Sequence, residues 1–302
     1  MTVQAVADDH AVAAELAAEA GRLLLDVRDE VGFADARALK DTGDVRAHEY
    51  LMAALAERCP GDAVLSEEGR SAVAGKRAVA GGGADRAPTR NTADAERLTA
   101  DRVWIVDPLD GTREFSEEGR RDWAVHVALW RRDGAEGGRL TAGSVALPAQ
   151  GLTLRTDATG GACLVRADAG EPAEAALHVP APDAGKLRIA VSRTRPPEFV
   201  RRLAERLDLE VELVPIGSAG AKISAVLLGE VDAYVHAGGQ YEWDSAAPVA
   251  VALAAGAHAS RIDGSPLNYN RKDPRLPDIL VCHPTSASTL LTGIRDVHDA
   301  LS

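Results

Sequence analysis

The stretch Val103–Phe115, VWIVDPLDGTREF, decides how the rest of the chain is read. Val103-Trp104-Ile105-Val106 is a short apolar run of the kind that forms a strand buried on both faces. It delivers two carboxylates, Asp107 and Asp110, into a turn made by Pro108 and Gly111. Two acids so close together at the end of a buried strand repel each other and resist desolvation. A hard divalent cation, which prefers oxygen ligands, would relieve both costs. Gly111 and Thr112 then open a helix or turn whose N–H groups suit a phosphate. The plainer reading of the same residues is a turn capped by Asp110 and a buried ion pair at Asp107.

Around this stretch the 302-residue chain has the balance of a soluble globular protein, 46% hydrophobic and 26% charged. That length suits one large domain or two modest ones sharing a core. The net charge of -12 argues against nucleic-acid polymers and anionic membrane surfaces as partners. A small polyanion remains open to an acidic protein whose site is neutralised by metal ions. Cys59, Cys163 and Cys282 are unclustered, so neither a disulfide framework nor a zinc site is expected. The N-terminus lacks the pattern of a signal peptide, and no stretch approaches the roughly 20 apolar residues of a membrane span. A reducing cytoplasm is the expected compartment.

In chain order, Asp8 or Asp9 caps a first helix whose Val12, Leu16, Ala20, Leu23 and Val27 recur at helical spacing, with Gly32 near its end. Leu39–Asp44 reads as a polar turn. Asp44 then caps a second helix that carries Ala47, Leu51, Ala54 and Leu55 and stops before Pro60-Gly61. Ala63–Gly69 is a strand ending in Glu67 and Glu68. Residues 71–97, rich in Ala, Gly and Arg, read as a mobile insertion. Strands at Trp123–Trp130, Leu140–Leu147, Leu152–Arg155 and Ala162–Val165, joined by short turns, point to an antiparallel sheet. Gly170–Gly185 reads as a connection.

Beyond it, strands at Leu187–Val191, Val211–Pro215, Val231–Val235 and Ile279–Cys282 alternate with helices at Pro197–Leu207, Ala219–Leu228 and Asp244–Ala255, and a terminal helix follows. This alternation is that of an α/β unit. The expected organisation is therefore an α+β half over residues 1–178 and an α/β half over residues 186–302.

DPLDGTREF resembles the signature of the magnesium-dependent, lithium-sensitive phosphatases of the inositol monophosphatase superfamily. The basic residue, Glu and Phe after DGT (Arg113-Glu114-Phe115) are similar to the 3'(2'),5'-bisphosphate nucleotidases of the CysQ type within it. Inositol monophosphatases usually carry Thr-Asn-Phe there. Ser66-Glu67-Glu68 and Trp243-Asp244 followed by small residues resemble the other two signatures. The resemblance spans nearly the whole chain and implies a layered αβαβα sandwich with the metal site between its halves. It implies two or three Mg2+ ions held by Glu67, Asp107, the Leu109 carbonyl, Asp110 and Asp244. Thr112, paired with Asp44, would orient or deprotonate the attacking water, and the N–H groups of Gly111 and Thr112 would grip the phosphate.

The turn Gly217-Ser218-Ala219-Gly220-Ala221-Lys222 resembles the nucleotidase loop that faces the nucleotide, through Ser218, Gly220 and Lys222. Ser192-Arg193-Thr194-Arg195 stands where relatives carry Ser-Arg-Ser-His, so only Ser192 and Arg193 carry over as substrate contacts. Read alone, each motif has a plainer meaning: Asp44 and Asp244 as helix N-caps, the glycine turn as a tight connection.

The implied activity is removal of the 3'-phosphate from adenosine 3',5'-bisphosphate, with the sulfated form as a second substrate, in sulfate assimilation. The expected chemistry is metal-assisted in-line attack by water in a monomer or homodimer. Two alternatives stand beside it: an inositol or fructose-bisphosphate phosphatase, and a binding module without catalysis.

Overall fold

The computed structural model describes residues 8–68, 91–134, 137–167, 173–183, 185–193 and 198–299. The first helix, α1 (Asp9–Val31), starts where Asp8 accepts the His10 N–H and ends at Gly32. The second, α2 (Ala36–Arg58), corrects the sequence reading. Its N-cap is Asp35, whose carboxylate accepts the N–H groups of Arg37 and Ala38, so Leu39–Asp44 lies inside the helix rather than in a turn before it. Gly43 costs helix propensity there. A close contact fixes it in place: a Cβ at Gly43 would fall 2.7 Å from the Phe115 ring and 3.2 Å from Leu109. Asp44 is thus a mid-helix residue beside the packing point of the signature turn, not an N-cap.

A seven-stranded sheet follows, in spatial order β1 to β7: Ala63–Ser66, Arg102–Asp110, Ala124–Asp133, Gly137–Leu147, Leu152–Thr156, Ala162–Arg166 and Ala173–Leu177. β1 and β2 are parallel, and the other pairs are antiparallel. β7 falls in the stretch read as a connection. Its Ala173–Ala176 face is exposed, so it lacks the apolar alternation that marks a strand in sequence. Most of the expected insertion, residues 71–90, lies outside the described residues. Its end does not behave as an insertion. Thr92 pairs with Val64 in both directions, and Asp94–Arg97 forms a short helix, α3, with Arg97 fully buried.

The second half builds a five-stranded sheet from β8 (Lys186–Ser192), β9 (Glu210–Ile216), β10 (Ala233–Tyr241), β11 (His258–Ser260) and β12 (Arg275–Cys282). Its spatial order is β11-β12-β10-β8-β9, parallel among β8, β9 and β10, with β12 antiparallel to its neighbours. After the short turn α4 (Thr112–Phe115), the helices are α5 (Glu198–Arg206), α6 (Ala219–Leu227), α7 (Glu242–Ala254) and α8 (Pro284–Asp299).

Three apolar clusters define the layers. One joins α1 and α2 to the large sheet. A second places α6 and α7 between the two sheets. The third packs α5 and α8 on the outer face of the small sheet. This is the αβαβα sandwich, and its middle cluster draws on both halves, so they share a core.

A pH-sensitive tie holds the start of α1. Arg102 bonds Asp9 at 2.7 and 2.9 Å and Asp62 at 2.8 and 3.0 Å. The bond from Arg102 holds the Asp9 carboxyl below its ordinary value despite partial burial. A depressed folded-state pKa stabilises the fold above the ordinary carboxylate range and loses that contribution as pH falls through the folded value. The melting temperature of Asp9→Asn should therefore decline less steeply than that of the parent between about pH 5 and pH 3, measured by thermal denaturation.

Candidate active site

β2 runs buried through Asp110, but its pairing with β3 breaks register between Asp107 and Asp110. The two acids therefore sit at an irregularity within the strand rather than in a turn after it. Chain direction changes at Gly111, whose φ of 86° lies in the left-handed region. A Cβ there would also fall 2.8 Å from Ser218 Cβ, which seats the signature turn against the start of α6. From the far side Arg28 of α1 clamps the turn, donating to the carbonyls of Phe115 (2.9 Å), Glu117 (2.9 Å), Arg120 (3.2 Å) and Glu114 (3.4 Å).

Asp110 reaches across to α6. Its Oδ2 accepts the Gly220 N–H at 2.6 Å and faces His126 Nε2 at 3.2 Å, while Oδ1 takes only a longer 3.3 Å contact from the Ala219 N–H. Burial pushes its pKa up, but His126, the Gly220 N–H and Lys222 outweigh that and leave the carboxyl below its ordinary value. Glycine at 220 is required: a Cβ would fall 2.0 Å from His126 Nε2.

In the remaining acids burial and like charges outweigh what compensation there is. Asp107 accepts the Leu109 N–H at 3.0 Å, yet burial, then Glu67 and Asp110, raise its pKa well above normal. Glu67 is pushed up to about 8 by burial, Asp244 and Glu68, with Asp107 as its neighbour on β2. Asp244 is pushed up to about 6, chiefly by burial and by Asp110. The Asp244 Oδ2 accepts the Tyr241 N–H at 2.7 Å. Four acids are thus electrostatic neighbours: Glu67, which lies just past the end of β1 at Ser66 rather than on the strand, Asp107 and Asp110 of β2, and Asp244 of α7.

Their chemistry fits a hard cation: oxygen donors, buried, mutually repelling. Among the described residues no three His, Cys, Asp or Glu side chains already converge on one point as a metal cage.

The other expected contacts fall around this cluster. The Thr112 hydroxyl donates to the Leu109 carbonyl at 3.3 Å. Ser218 is the N-cap of α6 and accepts the Ala221 N–H at 3.0 Å. Lys222 is buried, with its ammonium on the Gly217 carbonyl and over the Tyr234 ring, and burial pulls its pKa down. Its charge acts on Asp110 and Asp244 as an internal counter-charge to the acids. Ser192 ends β8 opposite Ile216. Arg193 bonds Glu114 and Glu117, and Thr194 and Arg195 lie outside the described residues.

Sequence reasoning missed His126, Glu114 and Glu242. His126 is a single polar residue in an apolar strand, with Nδ1 on the Trp243 carbonyl at 3.0 Å. Its neighbour Asp110 comes from another strand, so no local pattern announces the pair.

The inositol monophosphatase family model matches residues 6–298. The chain belongs to that family. Members are generally metal-dependent. A relative from Mycobacterium leprae called 3'-phosphoadenosine 5'-phosphate phosphatase is 49% identical over 298 residues, covering 97% of this chain and 96% of its own. A protein of the same description from Mycobacterium bovis is 51% identical over 280 residues, with coverage of 92% and 90%. The crystal structure of CysQ from Bacteroides thetaiotaomicron, 27% identical, superposes with a TM-score of 0.70 over 91% of this chain and 97% of its own. Mycobacterium tuberculosis SuhB, 24% identical with a TM-score of 0.67, covers 95% and 96% and shares the fold. Among the described residues no helix is long and apolar enough to cross a membrane.

Proposed function

We propose that this chain is a metal-dependent phosphatase that hydrolyses the 3'-phosphate of adenosine 3',5'-bisphosphate to give AMP and phosphate. The observation that carries the reaction class is the buried cluster Glu67, Asp107, Asp110 and Asp244 facing the signature turn and the start of α6. The substrate is supported by relatives at 49% and 51% identity that bear that description. Lithium inhibition, a cytoplasmic location and a place in sulfate assimilation go with the same reading.

Glu67, Asp107, the Leu109 carbonyl, Asp110 and Asp244 would hold the Mg2+, with Asp110 offering its less occupied Oδ1. When bound, the metal neutralises charge on the phosphoryl group and makes water a better nucleophile. The chain does the rest. The α6 N–H groups and His126 fix Asp110 so that it needs little reorganisation during the reaction. Thr112 Oγ1, with Asp44 on α2, would orient the water and take its proton. The N–H groups of Gly111 and Thr112 would grip the phosphate from a turn that Arg28 and Gly43 hold still.

The test compares kcat/KM for adenosine 3',5'-bisphosphate, inositol 1-phosphate and fructose 1,6-bisphosphate at saturating magnesium. A hundredfold preference for the nucleotide is expected, and comparable rates on all three would overturn the substrate assignment. EDTA should abolish phosphate release and added Mg2+ restore it. Release that persists in EDTA would remove the metal from the reading.

A further inference from the structure

The start of α6 leaves four backbone N–H groups without a partner inside the helix, and each of them is accounted for. Ala219 and Gly220 donate to Asp110, at 3.3 and 2.6 Å, and Ala221 donates to the hydroxyl of the N-cap Ser218 at 3.0 Å. The fourth, from Ser218 itself, goes to the Asp122 carbonyl at 3.1 Å. One residue earlier, the Gly217 N–H donates to Asp122 Oδ2 at 2.6 Å. Asp122 thus receives two consecutive N–H groups of the chain entering α6, one on its side chain and one on its backbone. It has no part in the reaction described above.

We propose that Asp122 is a positioning residue for Asp110: it anchors the first turn of α6, so that the Ala219 and Gly220 N–H groups meet the Asp110 carboxylate in one fixed place and leave its Oδ1 available to a divalent cation. The inference rests on the metal-dependent reading above and adds to it a residue that sets metal affinity without touching the metal.

Both ends of the contact are themselves held. A Cβ at Gly217 would fall 2.7 Å from Asp122 Oδ2 and 2.4 Å from Glu114 Cγ, so only glycine lets the carboxylate come this close. The Gly217 carbonyl accepts the Lys222 ammonium, which pins the other side of the residue. Asp122 lies just ahead of β3 and pairs with Arg120, whose carbonyl is one of those gripped by Arg28. β3 also carries His126, which faces Asp110 Oδ2. One strand and its lead-in therefore set both the helix start and the imidazole against the same carboxylate. With Asp122 in place, α6 is anchored independently and Asp110 gives it only one short bond. Without Asp122, Asp110 becomes the main anchor of that turn, and an oxygen engaged by helix N–H groups is a poorer donor to a cation. Groups that orient a metal ligand commonly govern metal affinity this way.

Calorimetric titration with Mg2+ reads this directly. Asp122→Ala should raise the Kd for Mg2+ about tenfold. Asp122→Asn keeps an oxygen that can accept the Gly217 N–H and should stay within about threefold of the parent. Asp122→Glu keeps the charge but carries its acceptor one methylene further, and should bind Mg2+ more weakly than Asp122→Asn. At saturating Mg2+ the kcat of Asp122→Ala should fall no more than about twofold, because added cation offsets the weaker site by mass action. Adding Asp122→Ala to Asp110→Asn should weaken Mg2+ binding no further than Asp110→Asn alone, because both act through one ligand.

A merely structural role would lower the melting temperature and kcat of Asp122→Ala while leaving its Mg2+ affinity at the parent's value, which would overturn the proposal. So would an order in which Asp122→Glu matches the parent and Asp122→Asn does not, because charge and not the hydrogen bond would then be acting. Additive losses in the double variant would overturn it as well. If Asp122→Ala does not fold, the order of Asp122→Asn and Asp122→Glu decides. A parent protein that binds no Mg2+ would sink the metal reading and this inference together. A parent that binds Mg2+ with an affinity every Asp122 variant retains would sink this inference alone.

Discussion

Asp107→Asn is expected to lower turnover at saturating magnesium by about a thousandfold while raising the melting temperature of protein held in EDTA. The two effects have one origin. Asp107 is fully buried beside Glu67, Asp110 and Asp244, and its carboxyl is pushed far above the ordinary range by burial first and by those acids second. Asparagine keeps the volume and can still accept the Leu109 N–H, but removes a carboxyl that the metal-free fold must either keep charged among like charges or protonate. Without metal, that relieves repulsion and desolvation, a gain of about 1–2 kcal/mol or a few degrees of melting temperature. With metal, a charged oxygen donor is lost, and several kcal/mol of charge stabilisation in the transition state go with it. The parent should gain stability on adding Mg2+, and the variant should gain much less. Phosphate-release kinetics and paired melts with and without Mg2+ check this. A variant that keeps near-normal turnover would remove Asp107 from the metal site, and one that melts lower in EDTA would refute the electrostatic account.

Much of this arrangement was legible in the chain because it rests on local signals. The apolar run before Asp107 predicts a buried strand wherever it packs, and Trp243-Asp244 before small residues predicts a helix start. α1 followed from spacing and a capping side chain at Asp8 or Asp9, of which Asp8 is the cap. Misreadings came where a tertiary contact overrides local preference. Gly43 beside Thr42 and Asp44 looks like a turn, and only the approach of Phe115 and Leu109 explains why the helix continues through it. β7 exists because β6 offers it a register, not because its own sequence favours a strand. The site divides the same way. Its acids are visible as motifs, but the fact that Asp110 already receives α6 N–H groups and His126 depends on strands and helices far apart in sequence. The resemblance turns Lys222 toward the nucleotide, but no local signal shows that its side chain is buried, which follows from its helix lying between the two sheets.

The same logic points to a residue with no motif at all. Arg97 closes α3, is fully buried, and bonds Asn270, Asp94 and the Arg271 carbonyl. Asn270 adopts a φ of 59°, in the left-handed region that asparagine enters more readily than other non-glycine residues. The loop is tied there: Glu242, 1% exposed, accepts the N–H groups of Asn270 and Arg271, each at 2.7 Å. Glu242 opens α7, the helix that carries Asp244. Arg97 therefore ties the first half of the chain to the loop that sets where α7 begins.

Arg97→Ala removes the cation from a network that still contains a buried carboxylate. Breaking such a network costs about 3–5 kcal/mol, and the melting temperature should fall by roughly 6–20 °C at about 2–4 °C per kcal/mol. Turnover at a temperature where the variant is still folded should drop as well, through a weaker dependence of Asp244 on its proper place rather than through any contact of Arg97 with substrate. Raising Mg2+ should recover part of that loss, because extra ligand offsets a displaced donor by mass action. A melting temperature within about 2 °C of the parent would mean that the network contributes little. A loss of turnover that Mg2+ does not touch would mean that α7 is positioned by its packing between the sheets and not by Glu242.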